Sequence, residues 1–144
     1  MRPGDPDEYE TNGHVDGIAR FVKPGVVLYE TNPDDSDPHS RTLKENLAAL
    51  ERATDARGRS FELVPIEEAY DVEGEGDVFC RSYVNFYIAN GGIVAPAYGI
   101  AADQRIRELL TRLYPGREVS LVDISAIAPG GGGIHCITQQ QPAV

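Results

Sequence analysis

Ser82-Tyr-Val-Asn-Phe-Tyr-Ile-Ala-Asn-Gly-Gly-Ile-Val-Ala-Pro96 has the pattern of a β-hairpin. β-Branched and aromatic residues on both sides favour strands, and the central Asn90-Gly91 is the strongest short-range signal for a tight turn between antiparallel strands. The sequence therefore predicts strands over residues 82–89 and 92–96.

A helix and a third strand follow this hairpin. Apolar residues recur on one helical stripe until Pro115-Gly116 ends the pattern, at Ile106, Leu109, Leu110 and Leu113. Residues 118–124 then have the composition of a strand. The segment is thus one ββαβ unit.

The same order of elements occurs upstream, where Lys23-Pro24-Gly25 is the hairpin turn. Asp37 or Ser40 can cap the helix of this unit. The predicted strands cover residues 17–22, 26–29 and 60–66, and the helix carries Leu43, Leu47 and Leu50 on one face through Ala53.

Two tandem ββαβ modules make this an α/β chain, and repeated units indicate a radial, propeller-like array. A final strand is predicted to bear Cys136. Two and a fraction units leave faces and sheet edges uncovered. We therefore expect the chain to be part of something larger, such as a homo-oligomer in which the exposed edges associate.

Composition excludes several classes of partner. The chain has 144 residues, is 41% hydrophobic and carries a formal net charge of -10, which fits one acidic domain. A polyanion attracts neither nucleic acid nor an anionic membrane, whereas it favours a small cationic substrate. Only two cysteines, no apolar run of membrane-spanning length and no signal-peptide pattern favour a cytoplasmic protein. Residues 1–12, rich in Pro, Gly and acids, are predicted to be a flexible coil.

Cys136 is the first candidate functional residue, because the glycine run 130–133 brings bare backbone close to its thiol. Four consecutive glycines are costly to order, which is easier to explain if the backbone must approach a ligand. A buried, inert cysteine beside a flexible loop is the alternative. The run lacks the Lys and Ser/Thr of a phosphate-binding loop.

His14 and Asp16 form the second candidate cluster, between Gly13 and Gly17. In a strand, residues two apart share a face, so the pair could supply a base and a substrate-orienting carboxylate for a cysteine nucleophile. A surface histidine beside a solvated carboxylate is the alternative. Strand alternation predicts that His135, next to Cys136, points away from the substrate.

Other polar groups are interpreted structurally. A metal site made of His14, Asp16, His135 and Cys136 is conceivable from ligand types, but it lacks the usual close ligand spacing. The acids at 34–37 lack the glycine and distal Glu of a calcium loop. Residues 67–77 are predicted to be a solvated acidic loop, and Cys80 to be structural.

Three stretches together resemble the C-terminal part of the agmatine deiminase and bacterial-type peptidylarginine deiminase family, within the guanidine-modifying pentein superfamily. They are Gly13-His-Val-Asp-Gly-Ile-Ala-Arg-Phe-Val22, residues 82–91, and Gly131-Gly-Gly-Ile-His-Cys-Ile-Thr-Gln-Gln-Gln-Pro142. The resemblance implies a five-bladed propeller of ββαβ modules, of which residues 13–144 would be the C-terminal portion.

The resemblance also implies site roles: Cys136 as nucleophile, His14 as general acid and base, and Asp16 as a carboxylate that binds the substrate's guanidinium. The backbone of Gly131, Gly132 and Gly133 would accommodate that planar group. It implies agmatine as substrate, no metal and no cofactor, and a further acidic group from the N-terminal half.

Between Pro65 and Arg81 the chain departs from the family, which has an Arg and small residues before the strand at 82. Specificity for agmatine, for arginine or for peptidylarginine therefore remains open. A half-propeller without turnover, serving as a binding or assembly module, is the alternative of a different class.

Overall fold

The computed structural model describes residues 13–74 and 78–142, and these form two ββαβ units. The first unit contains β1 (Ala19–Lys23), β2 (Val26–Thr31), α1 (Pro38–Arg52) and β3 (Glu62–Glu67). The second contains β4 (Tyr87–Ala89), β5 (Gly92–Ala97), α2 (Ala102–Leu113) and β6 (Glu118–Asp123). The predicted tandem repeat is confirmed.

Each unit has a three-stranded sheet with the hairpin's second strand in the centre. In the first sheet β2 pairs antiparallel with β1 and parallel with β3, and in the second β5 pairs in the same way with β4 and β6. A helical crossover is required between parallel neighbours, and α1 and α2 supply it. Both hairpin turns contain a glycine in the left-handed region, Gly25 at φ 83° and Gly91 at φ 82°.

Helix α1 begins after Asp37, whose side chain accepts a hydrogen bond from the His39 N–H. Asp37, rather than Ser40, is therefore the cap. Ser40 is instead buried, and its hydroxyl donates to the Asn32 carbonyl. This bond ties the first turn of the helix to the end of β2.

One hydrophobic core joins the two units. Leu28 and Ile66 come from the first sheet, and Ile93 and Leu110 from the second unit. Between them lies the segment that precedes β4, where Tyr83 and Phe86 are fully buried. Burial of this segment against both units holds them together.

The sequence prediction is wrong for this segment, because residues 82–86 form a turn and coil and only Tyr87–Ala89 pairs as a strand. Consecutive residues here are all buried rather than alternating, since they fill the space between two units. The Ser82 hydroxyl accepts a hydrogen bond from the Val84 N–H and donates to the Gly17 carbonyl. These bonds replace a strand ladder.

The segments that carry Asp16 and Cys136 also differ from the strands predicted for them. Residues 15–18 form a turn in which the Val15 carbonyl accepts from the N–H groups of Ile18 and Ala19. After β6, a short 3-10 helix at Ala128–Gly130 leads into turns through Cys136. Cys136 therefore lies on a turn, and Gly131, at φ 78°, reverses the chain before it.

Candidate active site

Three segments that are distant in sequence meet at one place. They are the turn before β1 with His14 and Asp16, the segment before β4 with Asn85, and the glycine-rich turn with Cys136. Asp16 and Cys136 are 120 positions apart, yet the thiol donates to Asp16 Oδ2 at 3.4 Å. The structure thus brings together all three predicted catalytic residues.

Asp16 is the centre of the cluster. Its Oδ2 lies 2.9 Å from His135 Nδ1 and accepts a hydrogen bond from Asn85 Nδ2 at 3.0 Å. Partial burial raises the pKa of the Asp16 carboxyl, but the hydrogen bonds with His135 and Cys136 lower it, and the net direction is downward. Asp16 is therefore ionised at neutral pH.

His14 occupies the solvent side. Its Nδ1 lies 3.9 Å from Asp16 Oδ1, and its side chain is 64% exposed. The hydrogen bonds from His135 and Asn85 end on Oδ2, so the two oxygens of one carboxylate face different groups. Oδ1 and the imidazole of His14 together form the open rim of the site.

Asn85 is a site residue that sequence reasoning missed. It is 3% exposed, its Oδ1 accepts from the His135 N–H at 2.9 Å, and its Nδ2 lies 3.4 Å from Cys136 Sγ. The amide thus holds the thiol and the carboxylate of Asp16 in one arrangement. The available signal was a polar residue within an apolar stretch, because such a residue needs buried partners.

The expectation for His135 is wrong. Alternation would have pointed its side chain away from the site, but residues 134–137 form a turn and not a strand. The imidazole instead contacts Asp16, so two histidines flank this carboxylate, one at each oxygen.

The glycines of residues 131–133 differ in how closely the site packs against them. A Cβ on Gly132 would lie 3.1 Å from Cys136 Sγ, and one on Gly133 would lie 2.8 Å from Asn85 Oδ1. A side chain at residue 133 would therefore force Asn85 to shift, and one at residue 132 would push Cys136 by a few tenths of an ångström. A Cβ on Gly131 would meet the Val78 carbonyl at 3.2 Å, so that residue packs against the loop before Phe79.

An apolar groove adjoins the cluster and includes Asp16 and His135 in its lining. Phe21, which is 61% exposed, and Phe61 form its aromatic wall, with ring centroids 5.6 Å apart. On the same side, Arg20 lies over the Phe86 ring at 4.4 Å and donates to the Phe86 carbonyl. Arg20 thereby fastens β1 to the segment that carries Asn85.

The second cysteine lies in a different environment. Burial raises the pKa of the Cys80 thiol to about 12, so it stays protonated at neutral pH. The backbone around it is held by Tyr98, whose hydroxyl donates to the Cys80 carbonyl at 3.0 Å. This environment agrees with the structural role predicted for Cys80, whereas Cys136 is exposed.

The acidic segment after β3 is only partly solvated. Glu67 belongs to β3, and Glu68 is 4% exposed, contrary to the expected solvated loop. Glu68 also belongs to the group of potential metal ligands that lie within 4.8 Å of one another in the described parts of the chain, with Glu30 and His39. This group shares no residue with the metal site considered from the sequence, which consisted of His14, Asp16, His135 and Cys136.

The sequence comparisons agree on one family. The family described as Porphyromonas-type peptidyl-arginine deiminase matches residues 1–142. A provisionally named agmatine deiminase of Legionella pneumophila is 45% identical over 134 residues, which cover 92% of this chain and 38% of that protein. One of Streptomyces avermitilis is 43% identical over 137 residues, covering 95% and 40%.

Solved structures give the same result. A provisionally described arginine deiminase from Porphyromonas gingivalis superposes with a TM-score of 0.89 at 31% identity, over 99% of this chain and 42% of that one. The agmatine deiminase of Enterococcus faecalis superposes with a TM-score of 0.86 at 32% identity, over 97% and 43%.

Tandem ββαβ modules with these neighbours define a partial α/β propeller of the deiminase type. The chain belongs to the Porphyromonas-type peptidyl-arginine deiminase family. It spans about two fifths of the length of the curated relatives, 38% and 40% for the two named above. Across residues 13–74 and 78–142, no helix has the length and apolar character needed to cross a membrane.

Proposed function

We propose that the cluster around Cys136 hydrolyses a guanidinium group, converting agmatine and water to N-carbamoylputrescine and ammonia. The observation that supports this most directly is the contact of the Asp16 carboxylate with the Cys136 thiol on one side and His14 on the other. A guanidinium needs a carboxylate to hold it, a nucleophile for its carbon and a proton donor for its leaving group.

The roles follow from these positions. Asp16 Oδ1, on the open rim beside His14, accepts charge-assisted hydrogen bonds from the guanidinium N–H groups. Cys136 attacks the central carbon as the thiolate, the carbon–nitrogen bond breaks, and His14 gives the departing ammonia its proton. His14 then takes a proton from water, which attacks the thiouronium carbon and releases the urea product with the regenerated thiolate.

Asn85 and the glycines support this chemistry without taking part in the bond changes. The Asn85 amide positions both Cys136 and Asp16, and Gly132 leaves room next to the thiol. The planar substrate would lie against the backbone of residues 131–133. Neither a metal nor an organic cofactor has a step in this scheme.

Agmatine is proposed because close relatives carry that name and because a chain of net charge -10 favours a dication. Free arginine or peptidylarginine is the second candidate, since another structural neighbour is described as an arginine deiminase. Residues 65–81, where the chain departs from the family pattern, are where we expect the difference in specificity to lie.

Activity is proposed to require the remaining modules of the propeller or a second copy of this chain. The resemblance implies another guanidinium-binding carboxylate in the N-terminal half. A half-propeller that binds without turnover is therefore the competing function, and it predicts folded protein that releases no ammonia under any condition.

The test is ammonia release from agmatine, arginine and a peptidylarginine by the 144-residue chain, alone and mixed with the N-terminal modules of a full-length relative. Cys136→Ala and Cys80→Ala form a matched pair, because only one of these thiols lies in the site. Of these two variants, we expect only Cys136→Ala to abolish turnover. Folded protein with no Cys136-dependent turnover in the mixture would contradict the proposal.

A further inference from the structure

A second cluster of ionisable groups lies outside the Cys136 site. Glu30 is on β2, His39 is in the first turn of α1, and Glu68 immediately follows β3. Each offers one ligand atom, and these atoms all lie within 4.8 Å of one another. We call Glu30, His39 and Glu68 the Glu30 cluster.

Both carboxylates of the cluster are buried. Glu30 is 2% exposed and Glu68 is 4% exposed, whereas the His39 side chain retains 28% exposure. Burying two carboxylates side by side is costly unless a cation or several donors compensate them. Burial raises the pKa of both groups, and the negative charge of Glu68 raises that of Glu30 further.

The available donors compensate this charge only in part. Asn32 Nδ2 donates to Glu68 Oε1 at 2.6 Å, and His39 Nε2 lies 3.5 Å from Glu68 Oε2. Hydrogen bonds from residues 82–84 lower the pKa of Glu30, but its Oε1 has no hydrogen-bond partner among the residues that the structure describes. A buried carboxylate with an unpartnered oxygen, next to a second carboxylate and an imidazole, indicates a place for a cation.

We propose that the Glu30 cluster binds a divalent transition-metal ion of the Zn²⁺ class, through one oxygen each of Glu30 and Glu68 and the Nε2 atom of His39. Imidazole and carboxylate are ligands that Zn²⁺ accepts together, and two carboxylates match the charge of the ion. The inference is independent of guanidinium hydrolysis, because it uses none of the residues assigned to that reaction.

The spacing fits such an ion after small side-chain movements. Ligand atoms about 2.1 Å from one Zn²⁺ are roughly 3.4 Å apart in a tetrahedron. The imidazole and carboxylate of His39 and Glu68 are already 3.5 Å apart. The upper limit of 4.8 Å within the cluster means that the Glu30 side chain has at most about 1.4 Å to close.

The partly exposed His39 gives the ion a route from solvent, and a water molecule can complete its coordination. The bound ion would join β2, the start of α1 and the end of β3 at one point. We therefore assign it a stabilising role rather than a catalytic one, and metal binding should appear as resistance to unfolding.

The experiment uses the whole 144-residue chain as Cys136→Ala, so that the exposed thiol cannot supply a competing ligand. Protein freed of metal by chelation is titrated with Zn²⁺ in a calorimeter, and Co²⁺ is added to a parallel sample to record its visible spectrum. We expect one ion per chain, a rise in Tm, and a Co²⁺ spectrum typical of nitrogen and oxygen ligands.

Two ligand variants and two matched controls locate the ion. Glu30→Gln and His39→Asn should each weaken Zn²⁺ binding by more than about 10-fold, since loss of outer-shell partners alone costs 10- to 100-fold. Glu62→Gln changes an exposed carboxylate of the same sheet, and His14→Asn changes the histidine of the other site. Both controls should bind Zn²⁺ like the parent.

Several results would overturn the inference. Absence of a one-to-one complex with either metal would show that the carboxylates share a proton instead of binding an ion. Undiminished affinity in Glu30→Gln and His39→Asn would place any bound ion elsewhere, and loss of binding in His14→Asn would place it at Asp16. If Glu30→Gln does not fold, the partly exposed His39 gives the decisive variant.

Discussion

His135 Nδ1 lies 2.9 Å from Asp16 Oδ2, although the two residues are 119 positions apart. The other oxygen of the same carboxylate faces His14, so Asp16 separates two imidazoles. One partly buried charge therefore organises the thiol, the amide of Asn85 and both histidines.

Asp16→Asn should remove the preference of the site for a positive charge. Chloroacetamidine, a cationic mimic of a guanidinium, should alkylate Cys136 of the parent faster than the neutral chloroacetamide does, because the pKa of Asp16 is lowered and its carboxylate is ionised. The ratio of the two alkylation rates, followed by mass spectrometry, should fall toward that of a free thiol. An unchanged ratio would show that Asp16 does not hold the cation.

The two histidines should be separable by substitution. In the proposed assembly with the N-terminal modules, His14→Asn should lower kcat by about 10²- to 10⁴-fold, the usual contribution of a general acid and base. His135→Asn should have a smaller effect, because its imidazole contacts Asp16 Oδ2 within the cluster instead of lying on the open rim. The reverse order in measured kcat would transfer the proton-transfer role to His135.

Gly132→Ala should displace the thiol. The added Cβ would lie 3.1 Å from Cys136 Sγ and 3.0 Å from its Cβ, which is tighter than ordinary contact. Alkylation of Cys136 by chloroacetamidine should therefore slow. Gly130→Ala is the matched control, since nothing lies within 4 Å of a Cβ at that position. Equal rates in the two variants would remove the steric argument.

Asn85→Ala should destabilise the fold as well as the site. It removes the side-chain acceptor of the His135 N–H, which keeps the main-chain carbonyl of residue 85, and one of the donors to Asp16 Oδ2. Each lost hydrogen bond costs about 0.5 to 1.5 kcal/mol. Urea unfolding should show this loss. Gln104→Ala, which removes an exposed amide paired only with Glu108 on α2, should change the free energy of unfolding by less than about 0.5 kcal/mol.

Cys80 should affect stability only at alkaline pH. Its pKa is about 12 in the folded chain against 9.0 for an unperturbed thiol. Between those values the unfolded chain has lost a proton that the folded chain keeps, so stability falls as pH rises, by up to about 1.4 kcal/mol per pH unit. At neutral pH the contribution is absent.

The check compares the pH dependence of unfolding for the parent and Cys80→Ala, which lacks this titration and should lose less stability above pH 9. Ellman's reagent at neutral pH should label one thiol in the folded parent and none in Cys136→Ala. Rapid labelling of folded Cys136→Ala would show that Cys80 is more accessible than its burial implies.

The elements that the sequence predicted correctly are those that depend on interactions between residues close in the chain. Both hairpin turns, both helices and the closing strands follow from turn chemistry and side-chain periodicity, which act within a few residues. The segment before β4 did not follow, because Tyr83 and Phe86 are buried between two units and not on one face of a sheet. Their contacts come from residues far away in the sequence.

The same distinction applies to the site. His14, Asp16 and Cys136 were predicted from their residue types and glycine neighbours together with the family resemblance, whereas Asn85 and the orientation of His135 depend on how three segments meet. Glu68 was misassigned to solvent for a similar reason. Its neighbours Glu30 and His39 lie on β2 and α1, far from it in the sequence.

Arg20 links the geometry of the cluster to the docking of the two units. Its guanidinium fastens the first unit to the second unit at Phe86, one residue after Asn85. Neither repeat possesses the thiol, the carboxylate and the amide by itself, so the cluster exists only while the two repeats remain docked. Loosening that joint would separate the Asp16 carboxylate from Asn85 and Cys136.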